Sequence, residues 1–198
     1  MLSRNVLNSA PVTRIIGGAG KGRRLFAPKG GATRPTAARV RQTLFDILAP
    51  RLPGCRFLDA LAGSGGVGLE ALSRGAAAVV LVERDATAVE TLRRNAAALA
   101  SAGGEVRVYR QEAASAVTGL AARGERFDVV FLDPPYGSEL YEPLLAKAEG
   151  VLAPDGIVVT EHFHKRRLPE RIGGLRQARS VKVGDHRLTF YARGRGVE

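Results

Sequence analysis

Residues 57–83 read FLDALAGSGGVGLEALSRGAAAVVLVE, and this stretch decides the fold. The apolar run 57–61 predicts a strand, and 67–73 predicts a helix stopped by Gly75. A second strand follows over 79–83. Gly63, Gly65 and Gly68 satisfy G-x-G-x-x-G between that first strand and its helix, where glycines let the backbone approach a ligand closely. Glu83 closes the second strand, about twenty residues beyond Gly63, where a carboxylate can take ribose hydroxyls.

The alternation continues on both sides. Helix 85–100 carries Val89, Leu92, Ala96 and Leu99 on one face. Strand 106–109, helix 113–122, strand 127–132, helix 140–149 and strand 157–161 follow. A terminal pair, 180–183 and 187–192, flanks Gly184-Asp185, which reads as a hairpin turn with antiparallel strands at one edge. Alternating elements of this kind predict an α/β fold with a Rossmann-like, mainly parallel seven-stranded sheet and helices on both faces. Ligands of such sheets bind at the carboxyl ends of the strands, near the switch point.

Ahead of this domain (53–198), residues 13–52 predict a small extension of two short strands and a helix. Thr36 is its expected N-cap, and Val40, Leu44, Ile47 and Leu48 form its apolar stripe. Gly20-Lys21 is not a phosphate loop, because Ile15 stands where the first glycine is needed and Gly22 where Ser or Thr is. Residues 1–12 read as a flexible leader without the apolar core of a secretory signal.

The 198 residues carry a net charge of +11, with 45% hydrophobic and 25% charged content. That is a globular composition whose charge predisposes it to polyanions. No Asp or Glu precedes Asp46, whereas Lys21, Arg23, Arg24, Arg34, Arg39 and Arg41 all do. A second basic stretch contains Lys165, Arg166, Arg167, Arg171, Arg176, Arg179 and Lys182. No apolar run approaches membrane length, so no membrane partner is expected. The lone Cys55 excludes an internal disulfide, fits a reducing cytoplasm and reads as a small buried hydrophobe. His162 and His164 share one strand face with no third ligand near them. They read as edge or rim residues, His186 as part of the terminal turn, and no metal is expected.

The strongest chemical signal is Asp133-Pro134-Pro135-Tyr136, directly after the apolar run FDVVFL. Asp133 and the Pro134 carbonyl can each accept a hydrogen bond from an exocyclic amine. Neither proline brings a competing N–H, and Tyr136 offers a face for a base. Upstream, Asp59 precedes the glycines at the end of its strand. It would repel a pyrophosphate but not a cationic ligand. S-adenosylmethionine, with ribose, adenine, an amino-acid tail and a sulfonium, fits better than a dinucleotide. A nicotinamide-dependent oxidoreductase is the competing reading of the glycine turn.

Residues 59–65 (DALAGSG) paired with 133–136 (DPPY) resemble class I amino-methyltransferases. More narrowly, Arg14-Ile-Ile-Gly-Gly, Gly22-Arg-Arg-Leu, Arg34-Pro-Thr with Arg39-Val-Arg, Gly68-Leu-Glu-Ala-Leu-Ser-Arg-Gly-Ala and the terminal hairpin resemble the bacterial 16S ribosomal RNA guanine-N2 methyltransferases, the RsmD family. The likeness runs from about Thr13 to Arg193. It implies methyl transfer from S-adenosylmethionine to N2 of a guanine in 16S rRNA, on the small subunit or its assembly intermediate, by a cytoplasmic monomer. Adenine-N6 and cytosine-N4 enzymes share the DPPY box and remain the alternative, though they commonly carry a target-recognition domain for which this chain has no room. The resemblance also implies a cofactor site of Asp59, Ala60, Gly63, Ser64, Gly65 and Gly68 from the first turn, Glu83 and Arg84 from the second, and Glu112 and Ala113 from the third. Two departures stand out: Leu61 where an aromatic is expected, and Glu112 where an Asp or Asn would meet the adenine amine. Asp133, Pro134, Pro135 and Tyr136 would be catalytic, and Lys21, Arg23, Arg24, Arg34, Arg39 and Arg41 would hold RNA phosphates.

Overall fold

In a computed structural model of the chain, the described residues are 13–27 and 38–194. The leader, Arg34 and the expected cap at Thr36 lie outside them. Ten strands and five α-helices occur among the described residues. The first two strands, β1 (Thr13–Arg14) and β2 (Arg24–Leu25), pair antiparallel as a short ribbon. Helix α1 (Ala38–Leu48) follows. The main sheet then builds in alternation: β3 (Arg56–Asp59), α2 (Gly68–Ser73), β4 (Ala78–Glu83), α3 (Ala86–Ala98), β5 (Glu105–Arg110), α4 (Ala113–Ala122), β6 (Phe127–Leu132), α5 (Tyr141–Ala148) and β7 (Leu152–Phe163). Three more strands close it: β8 (Arg171–Ile172), β9 (Leu175–Val183) and β10 (His186–Arg193).

The sheet order is β5-β4-β3-β6-β7-β10-β9-β8. Strands β5 to β7 are parallel, and β10, β9 and β8 add antiparallel. The sequence predicts seven strands in this sheet and the structure has eight. The extra one is the two-residue edge β8, whose Arg171 pairs Arg176. Residues 175–179, LRQAR, lengthen β9 without any apolar alternation, so no period-two signal announces them.

Each central strand buries both faces. Phe57, Val79, Leu81, Val129 and Phe131 pack with α1, α2 and α3 on one side. Leu58, Val80, Val82, Val130 and Leu132 pack with α4 and α5 on the other. Asp85 caps α3 by accepting the Ala88 N–H at 2.8 Å, which explains the helix start. Cys55 is buried and its thiol is pushed up to about 11 by desolvation. No helix among the described residues is long and apolar enough to cross a membrane.

The N-terminal ribbon is tied to the sheet domain by polar side chains as well as by Ile15 and Leu25 in the shared core. Glu70 of α2 is fully buried. Its Oε2 accepts the Ile16 N–H and its Oε1 the Gly17 N–H, each at 2.8 Å. Ser73, one turn later, accepts the Gly20 N–H at 2.8 Å and donates to the Gly17 carbonyl at 2.6 Å. Asn95 of α3, also buried, accepts the Phe26 N–H and donates to the carbonyls of Phe26 and Ser64. Buried side chains whose hydrogen bonds reach across to another segment fix that segment's register.

This arrangement corrects one residue of the expected RNA-binding set. Arg41 is expected on the side or back of its helix, but only 3% of it is exposed. Its Nη2 donates to the Arg14 carbonyl at 2.7 Å, and its Nε lies 3.9 Å from Glu70. Glu70 already holds Arg74 at 2.7 Å. The buried carboxylate needs cations around it, and that draws Arg41 inward. Burial pulls the Arg41 guanidinium down from its usual range, against the opposing charge of Glu70. Lys21, Arg23, Arg24 and Arg39 are exposed, as a phosphate-binding role requires.

Candidate active site

The carboxyl ends of β3, β4 and β6 open into one cleft of about 750 Å³, within the size range of small-molecule sites. The expected residues Asp59, Ala60, Gly63, Ser64, Glu83, Arg84, Glu112, Ala113, Asp133, Pro134, Pro135 and Tyr136 all line it. Gly65 and Gly68 lie beneath the turn instead. At Gly65, φ is +90° and a Cβ would stand 2.6 Å from Leu92 Cδ1. At Gly68 a Cβ would stand 2.2 Å from Leu81 Cδ2. These two glycines serve turn geometry and helix–strand packing.

The turn's carboxylates are organised by backbone amides. Asp59 is buried, and its Oδ2 accepts the Gly68 N–H at 3.0 Å. Desolvation pushes Asp59 up to about 7, with that N–H opposing and the charges of Asp133 and Glu83 adding to it. Glu83 accepts the Gly63 N–H at 3.0 Å and the N–H groups of Arg84 and Asp85 at 2.8 Å each. A carboxylate offers about four acceptor positions, so the amides leave Glu83 little capacity for two ribose hydroxyls at once. Glu112 is exposed at the head of α4 and pairs with Arg84 at 3.6 Å.

On the other side of the cleft, Asp133 leaves the end of β6, and the Pro134 carbonyl accepts the Tyr141 hydroxyl at 3.1 Å. That carbonyl keeps a second lone pair for an amine. Asp133 is held well above the usual carboxylate range, by desolvation first and then by the charge of Glu161. Tyr136 is 41% exposed. Its ring meets Phe163 edge-on at 6.4 Å and His186 at 5.8 Å, leaving an aromatic rim beside the amine acceptors.

Glu161 and His186 are among the residues of this cleft that the sequence reading missed. Glu161 is buried within β7, ahead of its last residues His162 and Phe163, and its Oε1 lies 2.7 Å from His186 Nδ1. The same nitrogen lies 2.7 Å from the Tyr136 hydroxyl. His186 is therefore the first residue of β10 with its ring in the cleft, not a turn residue. Glu161 ends the run IVVTE just as Glu83 ends VVLVE, so the signal that marked Glu83 was present for Glu161 too. His162 is not a rim residue either: it is buried, with Nε2 2.8 Å from the Thr189 hydroxyl. Burial lowers its basicity.

Among the described residues no cluster of His, Cys, Asp and Glu is arranged to hold a metal. The residues present do fit S-adenosylmethionine. Asp59, Glu83, Asp133 and Glu161 line one cleft of a protein whose net charge is +11. Such a local reversal favours a cationic ligand over a pyrophosphate. The third-turn pair Glu112 and Ala113 closes the same cleft from the β5 side.

Comparisons with known proteins agree with this geometry. The family described as "Conserved hypothetical protein 95" matches residues 13–192. The Bacillus subtilis protein YlbH is 38% identical over 180 residues, covering 90% of this chain and 97% of its own. Ribosomal RNA small subunit methyltransferase D of Escherichia coli is 41% identical over 158 residues, covering 79% of this chain and 77% of its own. The solved structure of yhhF from Escherichia coli superposes with a TM-score of 0.81 at 34% identity, over 93% of this chain and 99% of that one. A glycine turn beside an acidic cleft, an Asp-Pro-Pro-Tyr corner and a family match over nearly the whole described chain converge: the chain belongs to the RsmD family of methyltransferases, which use S-adenosylmethionine.

Proposed function

We propose that this cleft methylates the exocyclic N2 of a guanine in the 16S rRNA of the small ribosomal subunit or its assembly intermediate. The observation that carries the reading is the corner after β6. Asp133 and the Pro134 carbonyl face the same cleft as the glycine turn, with the exposed Tyr136 ring beside them. The small-subunit assignment rests on the Escherichia coli relative, which bears that name. S-adenosylmethionine supplies an electrophilic methyl group on a positively charged sulfur.

The chain's residues prepare the amine. A guanine N2 is a weak nucleophile because its lone pair is delocalised into the ring. Two acceptors holding its two N–H groups favour a pyramidal nitrogen with the lone pair free, and they stabilise positive charge developing there. Fixing the base beside the donor contributes through proximity. Tyr136 stacks on a base that is unpaired or flipped from its helix. The exposed Lys21, Arg23, Arg24 and Arg39, with Arg34, bind backbone phosphates. Residues 13–52 act as the RNA-docking extension of the catalytic domain.

The deciding experiment is transfer of a labelled methyl group from S-adenosylmethionine to small subunits from a strain lacking the enzyme, followed by nucleoside analysis. Labelled N2-methylguanosine is the expected product. Labelled N6-methyladenosine or N4-methylcytidine would assign the clamp to another amine.

A further inference from the structure

Strands β6 and β7 run parallel with Leu132 opposite Thr160. The next residues, Asp133 just beyond the end of β6 and Glu161 still within β7, are therefore neighbours that line the cleft. Two carboxyls so placed in a desolvated site cannot both ionise easily. Asp133 shows the effect, held up by burial and by the charge of Glu161. The pair leads onward: His186 Nδ1 lies 2.7 Å from Glu161 Oε1 and 2.7 Å from the Tyr136 hydroxyl. The His186 side chain is 14% exposed and that of Glu161 is 2% exposed. The row therefore runs from a buried carboxylate pair to a ring that reaches solvent. Asp59 on β3 and Tyr141 on α5 also face the pair. Asp185 and Arg166 flank His186 in an adjoining pocket.

We propose that Glu161 and His186 carry away the proton which the methylated amine gives up, taking it from Asp133 and releasing it to solvent. The inference rests on the reading of the cleft as an amine methyltransferase site. The amine's lone pair forms the new N–C bond, and the electron pair of the broken C–S bond stays with sulfur. Nitrogen is left with one proton and one positive charge too many. Asp133 accepts that proton and Glu161 shares it. His186 then takes a proton at Nδ1 and loses one from Nε2, which returns the site to its starting charge. A single ring nitrogen facing two oxygens suits this exchange, since it can accept from either in turn. Tyr136 is bonded to the same nitrogen, so the ring that stacks on the base is held by the group that drains its proton.

Two measurements test the relay. In multiple-turnover methyl transfer, His186→Ala is expected to lose about a hundredfold in rate. Added imidazole should restore part of it, following the neutral fraction of the imidazole as pH changes. A wild-type rate in His186→Ala, or a loss that imidazole leaves unchanged, would overturn the relay. The second measurement needs no RNA: calorimetry of S-adenosylmethionine binding at neutral pH in buffers of different ionisation enthalpy. The cationic ligand should lower the proton affinity of the carboxyl pair, and Glu161→Gln should release measurably fewer protons than the parent. Equal release by the two proteins would also overturn the proposal. Wild-type protein that methylates no amine would remove the functional reading instead, and the calorimetric comparison would still judge the pair.

Discussion

The buried carboxylate of Glu70 accepts the amide N–H of Ile16 at 2.8 Å, across a separation of 54 residues. Its second oxygen holds Gly17, while Arg41 and Arg74 balance its charge. Glu70→Ala would leave two guanidinium groups without their counter-ion and two amides without an acceptor. Removing one member of a buried charge cluster costs about 3–5 kcal/mol. Urea denaturation should show that loss, and Glu70→Gln, which keeps an acceptor, should lose less. A variant as stable as the parent would mean that the ribbon is held by its apolar contacts alone.

Asp133→Ala should lower the single-turnover rate by at least about a hundredfold. Affinity for S-adenosylmethionine should stay within about threefold, since Asp59 and the glycine turn are intact. Asp133→Asn, which keeps one acceptor, should retain more rate than Ala. Unchanged turnover in the alanine variant would remove Asp133 from the chemistry.

Asp59 makes stability depend on pH. Its carboxyl rises from an ordinary 3.8 to about 7 in the folded chain, so the native state holds its proton more tightly than the unfolded state. Stability is then fullest below about pH 4, falls as pH rises, and reaches its floor above about pH 7. At about 1.4 kcal/mol per tenfold, the full effect is on the order of 4 kcal/mol. Asp59→Asn should flatten that slope and stabilise the ligand-free protein at pH 8, while weakening S-adenosylmethionine binding. Chemical denaturation of both proteins at pH 5 and pH 8 measures it. Parallel pH dependence in the two would assign the slope to other groups.

Replacing Lys21, Arg23, Arg24 and Arg39 together with Gln should weaken RNA binding and shallow its salt dependence. Each lost phosphate contact should reduce the log–log slope by about 0.7–0.9. S-adenosylmethionine affinity should not change, because none of the four lines the cleft. A salt slope equal to the parent's would move the RNA to another face, with the second basic stretch the next to examine.

The architecture was legible because its signals are local. Apolar strands and glycine turns each act within a few residues, and β3 to β7 follow them closely. The lining of the candidate cleft was legible where one strand end carries its own chemistry, as at Asp59, Glu83 and Asp133. What escaped depends on contacts between distant segments. Arg41 looked like any exposed helical arginine until Glu70 gave it a buried counter-charge. His186 looked like a turn residue until strand pairing set it opposite Phe163 and brought its ring to Glu161. Strand β8 carries too little apolar pattern to announce itself.

Asn95 holds Phe26 with one pair of hydrogen bonds and Ser64 with another contact from the same amide. The ribbon and the glycine turn therefore share a rivet, and neither can shift without the other. The spacing between the ribbon's exposed cations and the Asp-Pro-Pro-Tyr corner becomes a fixed length of the molecule. A tool of this kind works as a caliper rather than a glove. Under the proposed function, such a tool would select a substrate whose own folded surface presents a charged ridge and an accessible base at the matching separation.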